Sequence, residues 1–286
     1  MVNAITGFGY LFAVDDPRFN TMRSLISRLL AFTVGARTSF TLLENRDDEQ
    51  TLIERGITTS ERITIVDGAG VDGDAFQALH LPANAEDNQT LRLAVVARML
   101  WSKGIDLAVK AVQRAREQNP QITLTLVGAP DPLNPQAIPE EQLSLWAALP
   151  GVDWVGYRDD VRTVWAEHDV AMLLSRGGEG LPRSLIEAAA CGRPIITTNV
   201  PGCKEIVIDG KTGSLITDID SDAVASAILE LARLNRDDLA EMARSSRAHF
   251  ETRFTEQAVT NRVTALYARA FDWASAANRL PPIRGG

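Results

Sequence analysis

The chain has 286 residues, 45% hydrophobic and 23% charged, with a formal net charge of -8 and a pI near 5.0. That balance excludes the broad basic face by which proteins hold nucleic acid, and no apolar run is long enough to span a bilayer. The opening residues MVNAITGFGYLF lack the charged n-region of a signal peptide. Cys191 and Cys203 are too few to hold a metal alone, and they fit a reduced, cytoplasmic chain.

In chain order, MRSLISRLLAFTVGA reads as a helix, TSFTLLEN as a strand, DDEQTLIERG as a helix ending at Gly56, and RITIVDG as a strand. GAGVDGDAF is glycine-rich and reads as irregular, and LPANAEDNQ reads as a linker. From LRLAVVA at 91 to 97 the pattern changes. Apolar runs rich in β-branched residues (ITLTLVG, VDWVG, DVAMLLS, RPIITTNV and GSLIT) alternate with helical segments. In the first of these helices Ile105, Ala108, Val109, Val112 and Ala115 share one face. Such alternation implies right-handed crossovers and a parallel sheet covered on both sides. The expected fold is α/β: a doubly wound parallel-sheet domain over 90–254, preceded by an incomplete α/β domain over 1–85. A helix over 255–273 and a flexible tail over 274–286 follow.

Ligands of open α/β sheets bind beyond the carboxyl ends of the strands. Two loops there carry unusual residues. After the strand at 91–97 come Arg98 and Lys103, and Gly104 then opens a helix. A helix N-terminus and two cations suit a phosphate, although solvated surface cations would look the same. After DVAMLLS comes SRGGEGLP, whose glycines allow close backbone approach to a ligand. Glu179 precedes Pro182, which suits a first helical position. Glu187 lies inside the helix among Ile186, Ala188, Ala189 and Ala190, where a carboxylate is costly without a hydrogen-bond donor such as a sugar hydroxyl pair. The competing reading makes Glu179 an acid favoured by the helix dipole and Glu187 an edge residue in water.

Glu179 and Glu187, with GLP after the first and EAAACGRPIITTNVPG around and after the second, resemble the signature of retaining family 4 glycosyltransferases of GT-B fold. ARMLWSKG, ENRDDEQTLIERGI, GAGVDGDAF and VPGCKEIVIDGKTGSLI resemble further segments of that family, in the same order. ITGFGYLF and VPGCKEIV are similar to bacterial members that build exopolysaccharide and O-antigen units on a lipid carrier.

The resemblance implies a GT-B-like fold and transfer from a nucleotide-diphosphate sugar, with UDP as the expected nucleotide and retention at the anomeric carbon. The implied acceptor is a glycan or a polyprenyl-diphosphate-linked saccharide, reached in the cytoplasm or at the inner face of the cell membrane. Arg98 and Lys103 would neutralise the diphosphate, Glu179 would contact the donor sugar and Glu187 the ribose. The backbone of Gly180, Leu181 and Pro182 would meet sugar or phosphate, and Gly156 and Tyr157 would lie near the base. Thr6 and Gly7 would face the interdomain cleft. No cofactor and no metal are implied. His80 and His168 read as structural or surface residues.

A full family member begins with a larger acceptor domain, so by domain-size arithmetic the resemblance implies that roughly 100 residues are missing at the start. A truncated, non-catalytic nucleotide-sugar-binding homologue is therefore the alternative. On that view the last helix would expose Val259, Val263, Leu266 and Phe271.

Overall fold

A computed structural model describes residues 1–6, 20–35, 39–83, 90–177 and 180–277. The first domain contains β1 (Val2–Ile5), α1 (Asn20–Thr33), β2 (Phe40–Leu43), α2 (Arg46–Glu54) and β3 (Ile63–Ile65). The three strands form a parallel sheet in the order β1-β2-β3, with Val2 opposite Phe40 and Thr41 opposite Ile63. Asn45 starts α2, its side chain accepting from the Asp48 N–H at 2.8 Å, and Asp47 and Asp48 complement the dipole in the first turn. Leu43, Leu52, Ile57, Ile63 and Val34 form this domain's small core. β1 was not among the expected strands.

The second domain alternates β4 (Leu91–Val96), α3 (Ile105–Gln118), β5 (Ile122–Val127), α4 (Glu140–Ala147), β6 (Val152–Trp154), α5 (Val161–Glu167), β7 (Val170–Leu173), α6 (Arg183–Ala190), β8 (Ile195–Thr198) and β9 (Gly213–Ile216). Three helices follow: α7 (Ser221–Arg233), α8 (Arg236–Arg253) and α9 (Glu256–Ala277). All six strands run parallel, in the order β6-β5-β4-β7-β8-β9. Side chains alternate between two apolar cores, one on each face of the sheet. Leu93, Val95, Val170 and Met172 enter one, and Ala94, Ala171 and Leu173 the other. Both faces being covered, β7 and β8 are buried at every residue; β7 reads as an unbroken apolar run, and the two threonines that end β8 donate their hydroxyls to the Leu173 and Ser175 carbonyls. The order reverses between β4 and β7, which opens a crevice at their carboxyl ends.

The chain passes between the domains twice, and the two passages are joined. The Val71 N–H donates to the Phe254 carbonyl at 2.9 Å, and the Glu256 N–H donates to the Val71 carbonyl at 3.2 Å. Val71, Phe76 and Leu79 already pack on the second domain's core, although the composition reading assigned them to the first. Their irregular spacing hid this, since they fit a surface that neither a helix nor a strand period describes. Buried Arg193 secures the stretch by donating to the Leu79 and His80 carbonyls at 2.7 and 2.8 Å.

α9 returns to the first domain. Arg269 donates to the Thr64 hydroxyl at 3.2 Å, and Trp273 meets Phe40 edge-on with ring centroids 6.4 Å apart. The helix continues to Ala277 rather than stopping at residue 273. Its apolar face is largely covered, contrary to expectation. Val259 and Leu266 are buried and Val263 is half-buried, because the helix seats on the second domain's end and the first domain's sheet together, and only Phe271 of the four is exposed.

Candidate functional site

The loops leaving β4 and β7 are stitched together at the crevice. Gly104 caps α3 in a left-handed conformation (φ 68°), and a Cβ there would lie 2.0 Å from the Leu174 carbonyl oxygen. Only glycine permits this approach. The Arg176 N–H donates to the Ser102 carbonyl at 2.8 Å, and the Arg176 guanidinium pairs with Asp106 at 2.9 Å. Lys103, half-buried, ends the short 3-10 turn Trp101–Lys103 within this joint.

Beside the joint, at the carboxyl ends of β4, β5 and β6, lies a cavity of about 500 Å³. Val96, Val127 and Val161 give it apolar walls, while Arg98, Asp131, Tyr157 and Arg158 give it polar edges. Arg98 reaches Asp131 at 2.9 Å, with 61% of its side chain exposed. An exposed pair of this kind is worth little, so Asp131 holds Arg98 only lightly. Tyr157 is 71% exposed on the rim, and the Gly156 carbonyl just before it accepts from the Gly128 N–H at 2.8 Å.

The second loop leads into α6. Glu187 is nearly buried, and Arg183, one turn earlier, holds it at 2.8 Å. The hydrogen-bond donor that its apolar setting demanded is therefore an arginine, itself 63% exposed and free to swing away. Gly180 and Leu181 face the first domain. A Cβ on Gly180 would lie 2.2 Å from Glu44 Oε2 and 2.3 Å from the Thr6 carbonyl. The Leu181 N–H donates to Glu44 Oε2 at 3.1 Å. Burial pushes the Glu44 carboxyl above its ordinary value. The Leu181 N–H opposes this and the charge of Asp48 adds to it.

Arg98 and Tyr157 thus share one cavity. Lys103, Gly180, Leu181, Pro182 and Glu187 are not among the residues that line it; α6 contributes Ser184, Glu187 lies one turn into that helix, and Thr6 comes up against Gly180 from the first domain. Glu179 and Gly7 lie outside the described residues. The sequence reading missed Asp131, Arg158 and Glu44. All three follow carboxyl ends of strands, so the rule that selected Arg98, applied to β5, β6 and β2, would have selected them too. His168 is buried, as read, and His80 is exposed. Among the described residues no three His, Cys, Asp or Glu side chains are grouped to hold a metal, and no helix is long and apolar enough to cross a membrane.

Known proteins share this architecture. Sucrose-phosphate synthase from Thermosynechococcus elongatus superposes with a TM-score of 0.74 at 21% identity, covering 95% of this chain and 68% of that one. HepE from Anabaena, solved in complex with UDP, gives a TM-score of 0.72 at 18% identity, covering 94% of this chain and 72% of that one. The fold is that of the GT-B glycosyltransferases. In sequence, the chain is 28% identical over 204 residues to a putative colanic acid biosynthesis glycosyltransferase, WcaL, of Escherichia coli, covering 69% of this chain and 49% of the relative. It is 27% identical over 192 residues to the amylovoran biosynthesis glycosyltransferase AmsK of Erwinia amylovora, covering 64% and 46%. The chain thus spans about half the length of these curated relatives. Residues 90–233, half of the chain and the region that builds the crevice, match the family model of glycosyl transferases group 1, and the chain belongs to that family.

Proposed function

We propose that this chain binds a nucleotide-diphosphate sugar, with UDP as the nucleotide, and serves transfer of the sugar with retention of configuration. The acceptor is a glycan or a polyprenyl-diphosphate-linked saccharide in the synthesis of cell-surface polysaccharide, at the cytoplasmic side of the membrane. The observation that carries the reading is the cavity at the carboxyl ends of β4, β5 and β6, whose apolar walls suit a nucleoside and whose rim holds Arg98 where a diphosphate leaves it. The resemblance of HepE, solved with UDP, and of relatives named for colanic acid and amylovoran synthesis supports it.

In this reading Arg98 and Lys103 stabilise the diphosphate as it departs, and with the start of α3 they supply the positive charge without a metal. Glu187 turns from Arg183 to the ribose hydroxyls. Glu179 contacts the donor sugar, on the strength of the sequence resemblance. Membrane contact has support in α1, which leaves Met22, Leu25, Leu29 and Phe32 exposed beside a groove lined by Arg23, Arg28 and Arg55.

Titration calorimetry with UDP, UDP-sugars and uridine tests the reading. Arg98→Ala should weaken UDP and UDP-sugar binding by about 1.5–3 kcal/mol, the worth of a charged hydrogen bond, and leave uridine nearly unchanged. Equal losses for uridine and UDP would sink it.

A further inference from the structure

Glu44 opens the segment ENRDDEQTLIERGI, from which the family resemblance draws no role for it, and it reaches from the first domain to the second. It follows the central strand of the first sheet and crosses to the loop before α6. Its contact there is a backbone N–H, that of Leu181. The neighbouring residue has no side chain, and any Cβ would collide with the Glu44 carboxylate and the Thr6 carbonyl. The Leu181 N–H therefore meets the Glu44 carboxylate directly, at a place where only glycine at position 180 leaves room for that carboxylate.

One kind of group can stand between these two partners and satisfy both. A hydroxyl accepts from an N–H and donates to a carboxylate at once. Inserting it replaces one hydrogen bond by two in series and widens the nitrogen-to-carboxylate separation by about 2 Å, within reach of a Glu rotamer change or a small opening of the cleft. A second carboxylate does not fit. It would meet Glu44, with Asp48 buried close behind it and raising the Glu44 carboxyl by its charge.

We propose that Glu44 is a specificity-determining residue for the donor sugar: it receives a hydroxyl of a neutral hexose against the Leu181 N–H and rejects hexuronates. This rests on the reading above, in which the donor sugar lies at the Gly180–Pro182 loop. An unoccupied Leu181 N–H is held by Glu44 itself, and the sugar takes its place between the two.

The test is calorimetry of the wild-type chain and Glu44→Gln against UDP, a panel of neutral UDP-hexoses and UDP-glucuronate, with thermal unfolding of each protein. The wild type should prefer its best neutral UDP-hexose over UDP-glucuronate by about tenfold or more, as expected when a site pairs or repels a polar group. Glu44→Gln should leave UDP affinity within about twofold, weaken the neutral UDP-hexose about five- to tenfold and erase most of the discrimination. A purely structural contact would shift the unfolding midpoint and weaken UDP and UDP-hexose alike, and that result overturns the proposal. Should Glu44→Gln not fold, Glu44→Asp keeps the charge but withdraws it from Leu181. It should lose affinity for the neutral sugar while still rejecting the glucuronate, and unchanged affinity for the neutral sugar overturns the proposal. A wild type that binds no UDP defeats the donor reading and this inference together. UDP binding with no dependence on residue 44 defeats this inference alone.

Discussion

His168 has its charge set by its two neighbours. Nδ1 lies 2.7 Å from the Val164 carbonyl, which can only accept, so Nδ1 carries the proton. Nε2 then accepts from the Thr125 hydroxyl at 2.8 Å. Burial holds the ring's pKa below its ordinary value of 6.5. Between that value and the lower folded one, the unfolded chain takes up a proton that the folded chain does not. Stability from this group is therefore full above pH 6.5 and falls as the pH drops through the window beneath it. The unfolding midpoint should decline as the pH falls below about 6.5, and His168→Gln should flatten the decline. His249, also lowered by burial and by the charge of Arg253, should leave a residual slope in that variant. An identical pH profile in His168→Gln would refute the assignment. Residues at this scale were legible unevenly. Arg98 stood out because a cation after a strand is conspicuous, whereas Tyr157 came only from the family resemblance. Asp131 and Glu44 did not, because an acid after a strand is common, and only the fold shows which acid faces a cavity or another domain.

Among the elements, the joint between the β4 and β7 loops sets the shape of the crevice, and Gly104 is its narrowest point. Gly104→Ala forces a left-handed backbone on alanine and drives a methyl group into the Leu174 carbonyl. Together these should cost about 2–4 kcal/mol. Gly210, with φ 70° and nothing within 4 Å of an added Cβ, isolates the backbone share, and Gly210→Ala should cost only about 1 kcal/mol. Urea denaturation of both variants measures the difference, and equal losses would show that the joint bears no steric load. Strands β4, β5, β7 and β8 were readable because burial on the sheet's faces writes short segments rich in aliphatic and β-branched residues. β1 was not, since four residues interrupted by Asn3 carry no period of their own, and its identity as a strand depends on pairing with β2.

For the molecule as a whole, the two domains and α9 meet around Asp67. Its carboxylate, 1% exposed, pairs with Arg253 at 2.6 Å and also with Arg262, which joins the end of β3's loop to α8 and α9. Removing one member of a buried ion pair leaves the rest uncompensated. Asp67→Ala should cost about 3 kcal/mol, at the low end for such sites because both arginines keep partial access to water. Protease should then cut earliest near the start of α9, and a wild-type digestion pattern in the variant would contradict the assignment. No local sequence pattern announces this cluster, because Asp67 and Arg262 are brought together only when the last helix comes home. The same return has a mechanical result. A single covalent passage between the domains would act as a ball joint and allow swivel in any direction. Here two passages run side by side and are bonded to each other at Val71 and Glu256, like paired pins on one door. Twisting the first domain would shear those bonds, whereas swinging it about the line of the pins would not. The soft motion is therefore a single swing that widens or narrows the crevice, with Glu44 at the edge that swings and Leu181 at the jamb.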